Sequence, residues 1–246
     1  MIILTGNDLT LAQVIRCAEG GEKVVISKGA TERVKSSRKK IEDYISSGAP
    51  IYGVNTGFGD LISERIGPDK IKELQRNLIR SHSSGYGKPL DRKTVRAMIL
   101  VRANSLSKGY SGVRSELVQS LLDLLNNNVI PFIPEKGSVG SSGDLSPLSH
   151  LALALIGEGR AVEDGKVLDT KEVLNKKGLK PLTLESKEGL SLINGTSYML
   201  SNLSLGFDDS ENLFRQPHIA ESLTLIQLQA FPLGTGQVLK ETCRAF

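Results

Sequence analysis

Tryptophan is absent from this chain of 246 residues, and aromatic residues make up only 4% of it. Proteins that bind single-stranded nucleic acids use aromatic side chains as stacking platforms, so this scarcity argues against that class. The two cysteines, Cys17 and Cys243, lie at opposite ends of the sequence, and the three histidines are dispersed. Because no spacing typical of a zinc site is present, we expect no metal.

Long apolar runs and a strong charge of one sign are also missing. No apolar stretch approaches the roughly 20 residues of a membrane-spanning helix. The start, MIILTGNDLT, lacks the charged region and long apolar core of a signal peptide. The net charge of +4 comes from scattered Lys and Arg, and the densest run, at 38–40, is typical of a solvated helix face. With two unpatterned cysteines, these features predict a cytoplasmic protein with no membrane or nucleic-acid partner.

What is present is an ordinary globular composition, with 39% hydrophobic and 24% charged residues. The apolar periodicity predicts strands and helices in the first part of the chain, at IILT (strand), from about Asn7–Asp8 (helix), KVVIS (strand) and 31–47 (helix). Further helices are predicted after Pro68, at 91–107, at 113–127 and after residue 146, and the Asp-Gly pair within 162–167 predicts a hairpin. We therefore predict a mainly α fold, with a small mixed α/β N-terminal part over 1–108 and a helical part over 109–246.

The segment GSVGSSGDLSPLSH, residues 137–150, places glycines and serines in front of an apolar helix. A Walker-type phosphate loop needs Gly-Lys-Ser/Thr, whereas Gly143 is followed by Asp144, which would repel a phosphate. A nucleophile elbow needs Gly-x-Ser-x-Gly, and Ser142 stands directly before Gly143. Neither phosphate binding nor a serine nucleophile therefore explains the segment.

The simplest remaining interpretation is structural. Ser146 is predicted as the N-cap of the following helix, and Pro147 suits its first position. The unpaired N–H groups and the positive dipole end there would favour electron-rich atoms in the preceding loop. On this interpretation the segment is a glycine-rich loop that leads into a capped helix.

A second interpretation is that the backbone reacts with itself. The amide nitrogen of Gly143, which no side chain obstructs, would attack the carbonyl carbon of Ser141, and loss of water would close a five-membered ring. Loss of the Ser142 hydroxyl as a second water would leave an exocyclic methylidene conjugated to a ring carbonyl. Standard side chains include no strong electrophile, so such a group would indicate chemistry that needs an electron sink.

This segment resembles the signature of the histidine and aromatic amino acid ammonia-lyases, whose Ala-Ser-Gly becomes a methylidene-imidazolone prosthetic group. Ser141 stands where the family usually has alanine, a position that contributes mainly its backbone. The resemblance implies that Ser141, Ser142 and Gly143 form this group without a metal or a nucleotide, and that Asp144 assists the cyclisation. It also implies that the helical part is the start of a long helical bundle of the ammonia-lyase type.

Three further segments resemble the same family, in the same order. IYGVNTGFGD resembles its tyrosine loop, which implies that Tyr52 is a catalytic acid/base and that Gly59 lies at the substrate. LQRNLIRSHSSG carries Ser81–His82 where histidine-specific members have Ser-His, which implies that both residues bind substrate and that His82 contacts its imidazole. EGLSLINGTSYML implies that Asn194, just before a predicted helix start at residue 196, supports the prosthetic group.

Each of these residues also has an ordinary interpretation. Tyr52 would be a structural tyrosine beside a glycine loop, and a phenol with a pKa of about 10 needs cationic or hydrogen-bonding neighbours to act as a base at neutral pH. His82 would be a satisfied core residue at the end of an apolar helix face. Asn194 and the glycine after it would form an Asn-Gly turn.

The reaction implied by the resemblance is the elimination of ammonia from L-histidine to give trans-urocanate, a carbon–nitrogen lyase step of histidine degradation. Attack of the electrophile on the amine and attack on the imidazole both remain open.

The resemblance extends to about residue 230, whereas family members continue through a helical second half that supplies a further tyrosine, an arginine and a glutamate. We therefore expect an N-terminal portion that forms a homo-oligomer, tetrameric in the family, or pairs with a chain supplying the other half. The alternatives are a catalytically silent binding or assembly subunit and an aromatic amino acid lyase or aminomutase.

Overall fold

A computed structural model describes residues 1–48, 51, 53, 54, 56, 67 and 70–227 of the chain. Helices dominate this part of the chain, in agreement with the predicted mainly α fold. They are α1 Leu11–Glu19, α2 Lys28–Ser46, α3 Ile71–His82, α4 Arg92–Ser107, α5 Ser115–Asn126, α6 Leu145–Leu155, α7 Thr170–Lys176, α8 Glu188–Ile193 and α9 Ser197–Gln227. The strands are short: β1 Ile2–Leu4, β2 Val24–Ile26, β3 Tyr86–Pro89, β4 Ile130–Pro131, β5 Pro134–Lys136, β6 Arg160–Glu163 and β7 Lys166–Asp169.

Helix α4 is the central helix of the core. Every residue from Thr94 to Ala103 is buried, and α1, α2 and α5 pack around it. The helix begins after Asp91, whose carboxylate accepts a hydrogen bond from the backbone N–H of Thr94 at 3.0 Å. Such a side-chain cap satisfies one of the amides that a helix start leaves without an intrahelical partner. This helix, which is buried on all sides, carries two buried arginines, Arg96 and Arg102.

The N-terminal strands are paired as parallel neighbours. Strand β1 pairs with β2 so that Ile2 lies opposite Val24, and α1 crosses between them. The helix begins later than the predicted Asn7–Asp8, because Thr10 and Gln13 form a capping box in which each side chain bonds the other's backbone N–H. Both predicted strands are confirmed, and the predicted helix start is wrong by about three residues.

A hairpin and a long-range strand pair complete the sheets. Strands β6 and β7 form the predicted hairpin, in which Asp164 (φ 50°) and Gly165 (φ 74°) take the two left-handed positions of the turn. Strand β4 pairs with β6. Strand β3 pairs antiparallel with β5, with Tyr86 opposite Lys136. This last pair links the segment after α3 to the segment before α6.

The helices that carry the predicted site residues lie together. Helices α3, α6 and α8 pack against one another. Residues up to Ser204 form one compact unit, and the described residues from Leu205 onward belong to a second. The finer division after residue 108 stays a prediction. Within the described residues, no helix combines the length and the apolar character that crossing a membrane requires.

Candidate active site

The glycine-rich segment leads into α6 by a different start from the predicted one. The helix begins at Leu145 with Asp144 at the N-cap position, and the backbone N–H of Leu148 donates to the Asp144 carbonyl at 3.0 Å. The predicted cap at Ser146 is therefore wrong: this residue is buried in the first helical turn, and its hydroxyl has no hydrogen-bond partner among the described residues. Pro147 is the third helical residue rather than the predicted first, and the helix tolerates it there because amides of the first turn need no intrahelical acceptor.

The triplet Ser141–Ser142–Gly143 lies just outside this helix start. Ser141 and Ser142 are exposed, and Ser142 has a φ of 58°, in the left-handed region that residues with a side chain rarely adopt. Gly143 has a φ of 96°, and a Cβ at this position would overlap the carbonyl oxygen of Gly195 and lie 2.8 Å from its carbonyl carbon. Only glycine fits at position 143, both in backbone conformation and in space.

Asp144 is fully buried, and its carboxylate is held by three neutral donors. Oδ2 accepts hydrogen bonds from the backbone N–H groups of Tyr198 and Met199, at 2.9 and 3.0 Å, and Oδ1 accepts one from the Ser138 hydroxyl at 3.2 Å. Asp144 thus caps the start of α9 from a distant part of the chain. A carboxylate at a helix N-terminus is favoured by the helix dipole. The contacts tie the residue after the triplet to the residues after Asn194.

The turn between α8 and α9 is in contact with Gly143. Helix α8 ends at Ile193, and the backbone N–H of Asn194 donates to Leu190 at 3.0 Å, while its side chain is exposed. The Gly195 carbonyl accepts the N–H of Asp144 at 2.7 Å. The predicted start of α9 near residue 196 agrees with the observed start to within one residue. The structure therefore brings the triplet and the Asn194 segment together, although 50 positions separate Asp144 from Asn194 along the chain.

Arg102 is a residue of this site that the sequence motifs did not predict. Its side chain is buried, and its Nη2 donates to the backbone carbonyls of Ser191 and, at 3.0 Å, of Asn194. Burial lowers the pKa of Arg102 to about 10. A signal was available: an arginine in the apolar run MILVRA of a predicted helix is costly unless it is hydrogen-bonded.

Ser81 and His82 form the last turn of α3. His82 Nδ1 lies 2.9 Å from the Leu78 carbonyl, and the Ser81 hydroxyl donates to the same carbonyl at 3.0 Å. A carbonyl oxygen only accepts, so Nδ1 carries the proton in a neutral ring and Nε2 is the acceptor. The imidazole is half-buried. Its orientation is set by the helix end rather than by a charged partner.

The segment after His82 reaches the beginning of the glycine-rich loop. The backbone N–H of Gly85 donates to Nε2 of His150, on α6, at 3.1 Å. A Cβ on Gly137 would lie 3.1 Å from Cα of Gly85. Burial, and secondarily the positive charge of Arg160, lowers the pKa of His150, which favours the neutral ring that this hydrogen bond requires. Tyr52 and Gly59, the other two predicted site residues, lie outside the described residues.

Comparison with known proteins identifies the family of the chain. A sequence model of the family described as aromatic amino acid lyase matches residues 9–238. The chain belongs to the aromatic amino acid lyase family. It is 46% identical over 225 residues to a histidine ammonia-lyase of Streptococcus sanguinis, a match that covers 92% of this chain and 44% of that protein. A histidine ammonia-lyase of Treponema denticola is 44% identical over 222 residues, covering 90% of this chain and 44% of the relative.

Solved structures of this lyase family share the fold. A histidine ammonia-lyase from Trypanosoma cruzi superposes with a TM-score of 0.86 at 39% identity, covering 94% of this chain and 45% of that one. A tyrosine aminomutase from Streptomyces globisporus gives a TM-score of 0.85 at 40% identity, with coverage of 91% and 42%. The chain thus spans less than half the length of these relatives.

Proposed function

We propose that this chain carries the self-formed electrophile of an ammonia-lyase and takes part in the conversion of L-histidine to trans-urocanate. In this elimination the amine leaves as ammonia and a β-proton is removed. The relatives named above motivate the substrate, and Ser81–His82 motivate the preference for histidine. Because the chain spans 44% of those relatives, we propose the activity for an assembly, either a homo-oligomer or a pairing with a chain that supplies the remaining part. Its proposed location is the cytoplasm.

The observation that carries this proposal is the backbone geometry at Gly143. Its positive φ and its close approach to Gly195 leave no room for a side chain, and Ser142 is held in the left-handed region. Two successive residues of positive φ also occur in an ordinary turn of this protein, at Asp164–Gly165, where a Cβ on the glycine would meet open space, so the close approach to Gly195 is the feature that distinguishes the triplet. Both features suit a triplet in which the Gly143 amide must reach the Ser141 carbonyl. The residues present therefore fit the methylidene-imidazolone group that the family implies.

Each residue of the triplet has a distinct part in this proposal. Ser141 provides the carbonyl carbon, Gly143 the attacking amide nitrogen, and Ser142 the hydroxyl that is lost, with two water molecules released in all. The completed group would supply an electrophile to a site whose other residues provide only bases and hydrogen bonds. Asp144, held by the start of α9, keeps the far end of the triplet in place and is proposed to assist the ring closure.

The remaining predicted residues have proposed roles at the substrate. His82 has Nε2 available as an acceptor, which suits the N–H of a substrate imidazole. Ser81 and Gly59 are proposed to line the substrate site beside His82. Tyr52 is proposed as the acid/base that handles the β-proton. Asn194, an exposed residue of the turn that contacts Gly143, is proposed to hydrogen-bond the prosthetic group and keep it electrophilic.

The decisive test is the intact mass of the purified chain, followed by peptide mapping. We expect a deficit of two water molecules confined to residues 141–143. The variant Gly143→Ala should show the full mass, because its methyl group would collide with Gly195. The matched control is Gly140→Ala, which also changes a glycine of positive φ (68°) but has open space at its Cβ, and it should keep the deficit.

An unmodified wild-type mass would refute the proposal and favour a catalytically silent assembly subunit. If the ring forms, the substrate is tested by supplying L-histidine, L-phenylalanine and L-tyrosine to the assembled protein. We expect urocanate in preference to cinnamate or coumarate. Turnover of all three at the same rate, or formation of a β-amino acid, would instead assign the chain to the broader aromatic lyases or the aminomutases.

A further inference from the structure

Arg102 is a buried cation without a buried anion to match it. It lies on α4 with 4% of its surface exposed, and no carboxylate within the described part of the chain forms an ion pair with it. Its Nε atom has no hydrogen-bond partner among those residues. Buried arginines are normally paired, because removing a charge from water is costly. Arg96, on the same helix, is also buried without an ion pair among the described residues, so what distinguishes Arg102 is that the hydrogen bonds described for it all go to the end of α8 and the turn that follows.

The guanidinium is directed at one structural element, the end of α8 and the turn that follows it. Nη2 donates to the carbonyls of Ser191 and Asn194, so one planar group joins the last turn of the helix to the first residue beyond it. A Cβ on Gly195 would overlap Nη1 and lie 3.2 Å from Cζ. Gly195 is therefore pressed against the guanidinium from one side.

Gly195 also contacts the triplet and the residue after it. Its carbonyl accepts the N–H of Asp144 at 2.7 Å, and Gly143 packs against its backbone atoms. The order of contacts runs from Arg102 to Asn194 and Gly195, and from there to Gly143 and Asp144. No other charged side chain described in the structure bonds the backbone of residues 191–195.

We propose that Arg102 is a positioning residue that fixes the Asn194–Gly195 turn as the platform on which Gly143 and Asp144 are held for ring closure. The part that concerns ring closure rests on the function proposed above. A guanidinium suits this task because it is planar and holds two acceptors in a fixed relation, with charge-assisted hydrogen bonds stronger than neutral ones. A hydrophobic side chain in the same place would fill the space but would leave both carbonyls without the hydrogen-bond donor that Arg102 supplies.

The test compares Arg102→Met with Arg96→Met in the 246-residue chain. Arg96 is a matched control: it lies on the same helix with 2% of its surface exposed, and it donates to the carbonyls of Cys17 at 2.8 Å and Leu125 at 3.1 Å, which belong to other elements. Two quantities are measured at temperatures where both variants are folded. They are the exchange rate of the Asp144 amide hydrogen and the fraction of chains with the two-water deficit.

We expect Arg102→Met to accelerate exchange of the Asp144 amide at least about tenfold, the scale of losing hydrogen bonds to a charged group, and to lower the fraction of ring-containing chains. Arg96→Met should lower thermal stability by a similar amount and change neither quantity. If both variants alter them equally, or if Arg102→Met alters neither, the proposal is wrong. Arg102→Lys keeps the charge but lacks the planar guanidinium, so its exchange rate and its fraction of ring-containing chains should lie between those of wild type and Arg102→Met. If Arg102→Met does not fold, Arg102→Lys is the variant compared with Arg96→Met.

The two proposals fail in different ways. A wild-type chain without the two-water deficit refutes the proposed function. The Asp144 amide is not consumed by ring closure, so its exchange rate still decides whether Arg102 holds the platform.

Discussion

Two carboxylates of this protein, Glu188 and Asp144, are fully buried but are stabilised in opposite ways. Glu188, at the start of α8, is clasped by Arg114, whose Nε and Nη2 donate to its two oxygens at 2.9 and 2.7 Å. The backbone N–H groups of Arg114 and Glu185 complete its hydrogen bonds at 3.0 and 2.8 Å. Both oxygens of the Glu188 carboxylate therefore accept two hydrogen bonds each, and we call this group of contacts with Arg114 and Glu185 the clasp.

Asp144 has donors but, among the described residues, no cation. Its charge is met by two amides at the start of α9 and by the Ser138 hydroxyl. Arg102, which contacts the same Asn194–Gly195 turn, is a cation that forms no ion pair with a carboxylate in the described part of the chain. Glu188 and Arg114 thus form a partly buried ion pair that stabilises the fold. Around the triplet, by contrast, Asp144 and Arg102 each form hydrogen bonds to backbone groups and are not paired with each other. This difference separates residues expected to affect stability from those expected to affect ring closure.

The largest expected effect comes from opening the clasp. Glu188→Ala leaves Arg114 unpaired and two backbone amides without acceptors, so we expect a loss of about 3 kcal/mol in the free energy of unfolding. The matched control is Glu158→Ala, which removes ion pairs with the half-exposed Arg76 and Arg80 and should cost less than about 1 kcal/mol. Denaturant titration measures both. Equal losses would contradict the contrast between the two regions.

A smaller loss of stability, with a larger effect on the triplet, is expected for Asp144→Asn. The amide keeps the volume but removes the charge that favours the start of α9, which should cost about 1–2 kcal/mol. The fraction of chains with the two-water deficit should fall, whereas folded Glu188→Ala should retain it. Peptide mass measurements on the same samples check this. Full ring content in Asp144→Asn would show that the charge of Asp144 is not required.

The smallest expected effect concerns His150 and pH. Because burial lowers its pKa in the folded protein, the unfolded chain binds more protons between the folded pKa and the ordinary value of about 6.5. Stability is therefore complete above that ordinary value and is lost as the pH falls from it towards the folded pKa. Protonation of Nε2 also breaks the bond from Gly85.

Thermal unfolding between about pH 7.5 and pH 5 measures this contribution. The control is His150→Gln, which does not titrate and should give a flatter profile. The pKa of Glu158 is lowered, chiefly by its hydrogen bond from Arg80. Its contribution to stability is therefore lost only as the pH falls below the ordinary pKa of a carboxyl group, so the effects of Glu158 and His150 on stability occur in different pH ranges. Identical slopes for wild type and His150→Gln would rule out His150 as the source.

Local signals predicted the elements well. Strands β1 and β2 and the hairpin at Asp164–Gly165 follow from apolar runs and turn residues, which act within a few positions. The predicted start of α6 was wrong. Ser146 has a side chain that suits a helix N-cap, but the N-cap is Asp144, whose carboxylate is held by backbone amides 54 and 55 positions away. The pairing of β3 with β5 was missed for the same reason, since neither strand has a periodicity of its own.

The sequence alone determined the kinds of residue available for chemistry: a triplet with glycine last, an aspartate after it, Ser-His at a helix end and Asn-Gly before a helix. These motifs lie within short stretches, and their resemblance to one family does not depend on knowing the fold. Only the tertiary structure decided what supports them. Gly143 lies against Gly195, and Gly195 against Arg102, because three segments distant in sequence meet there: the loop before α6, the turn after α8 and helix α4. Close packing allows no side chain between them.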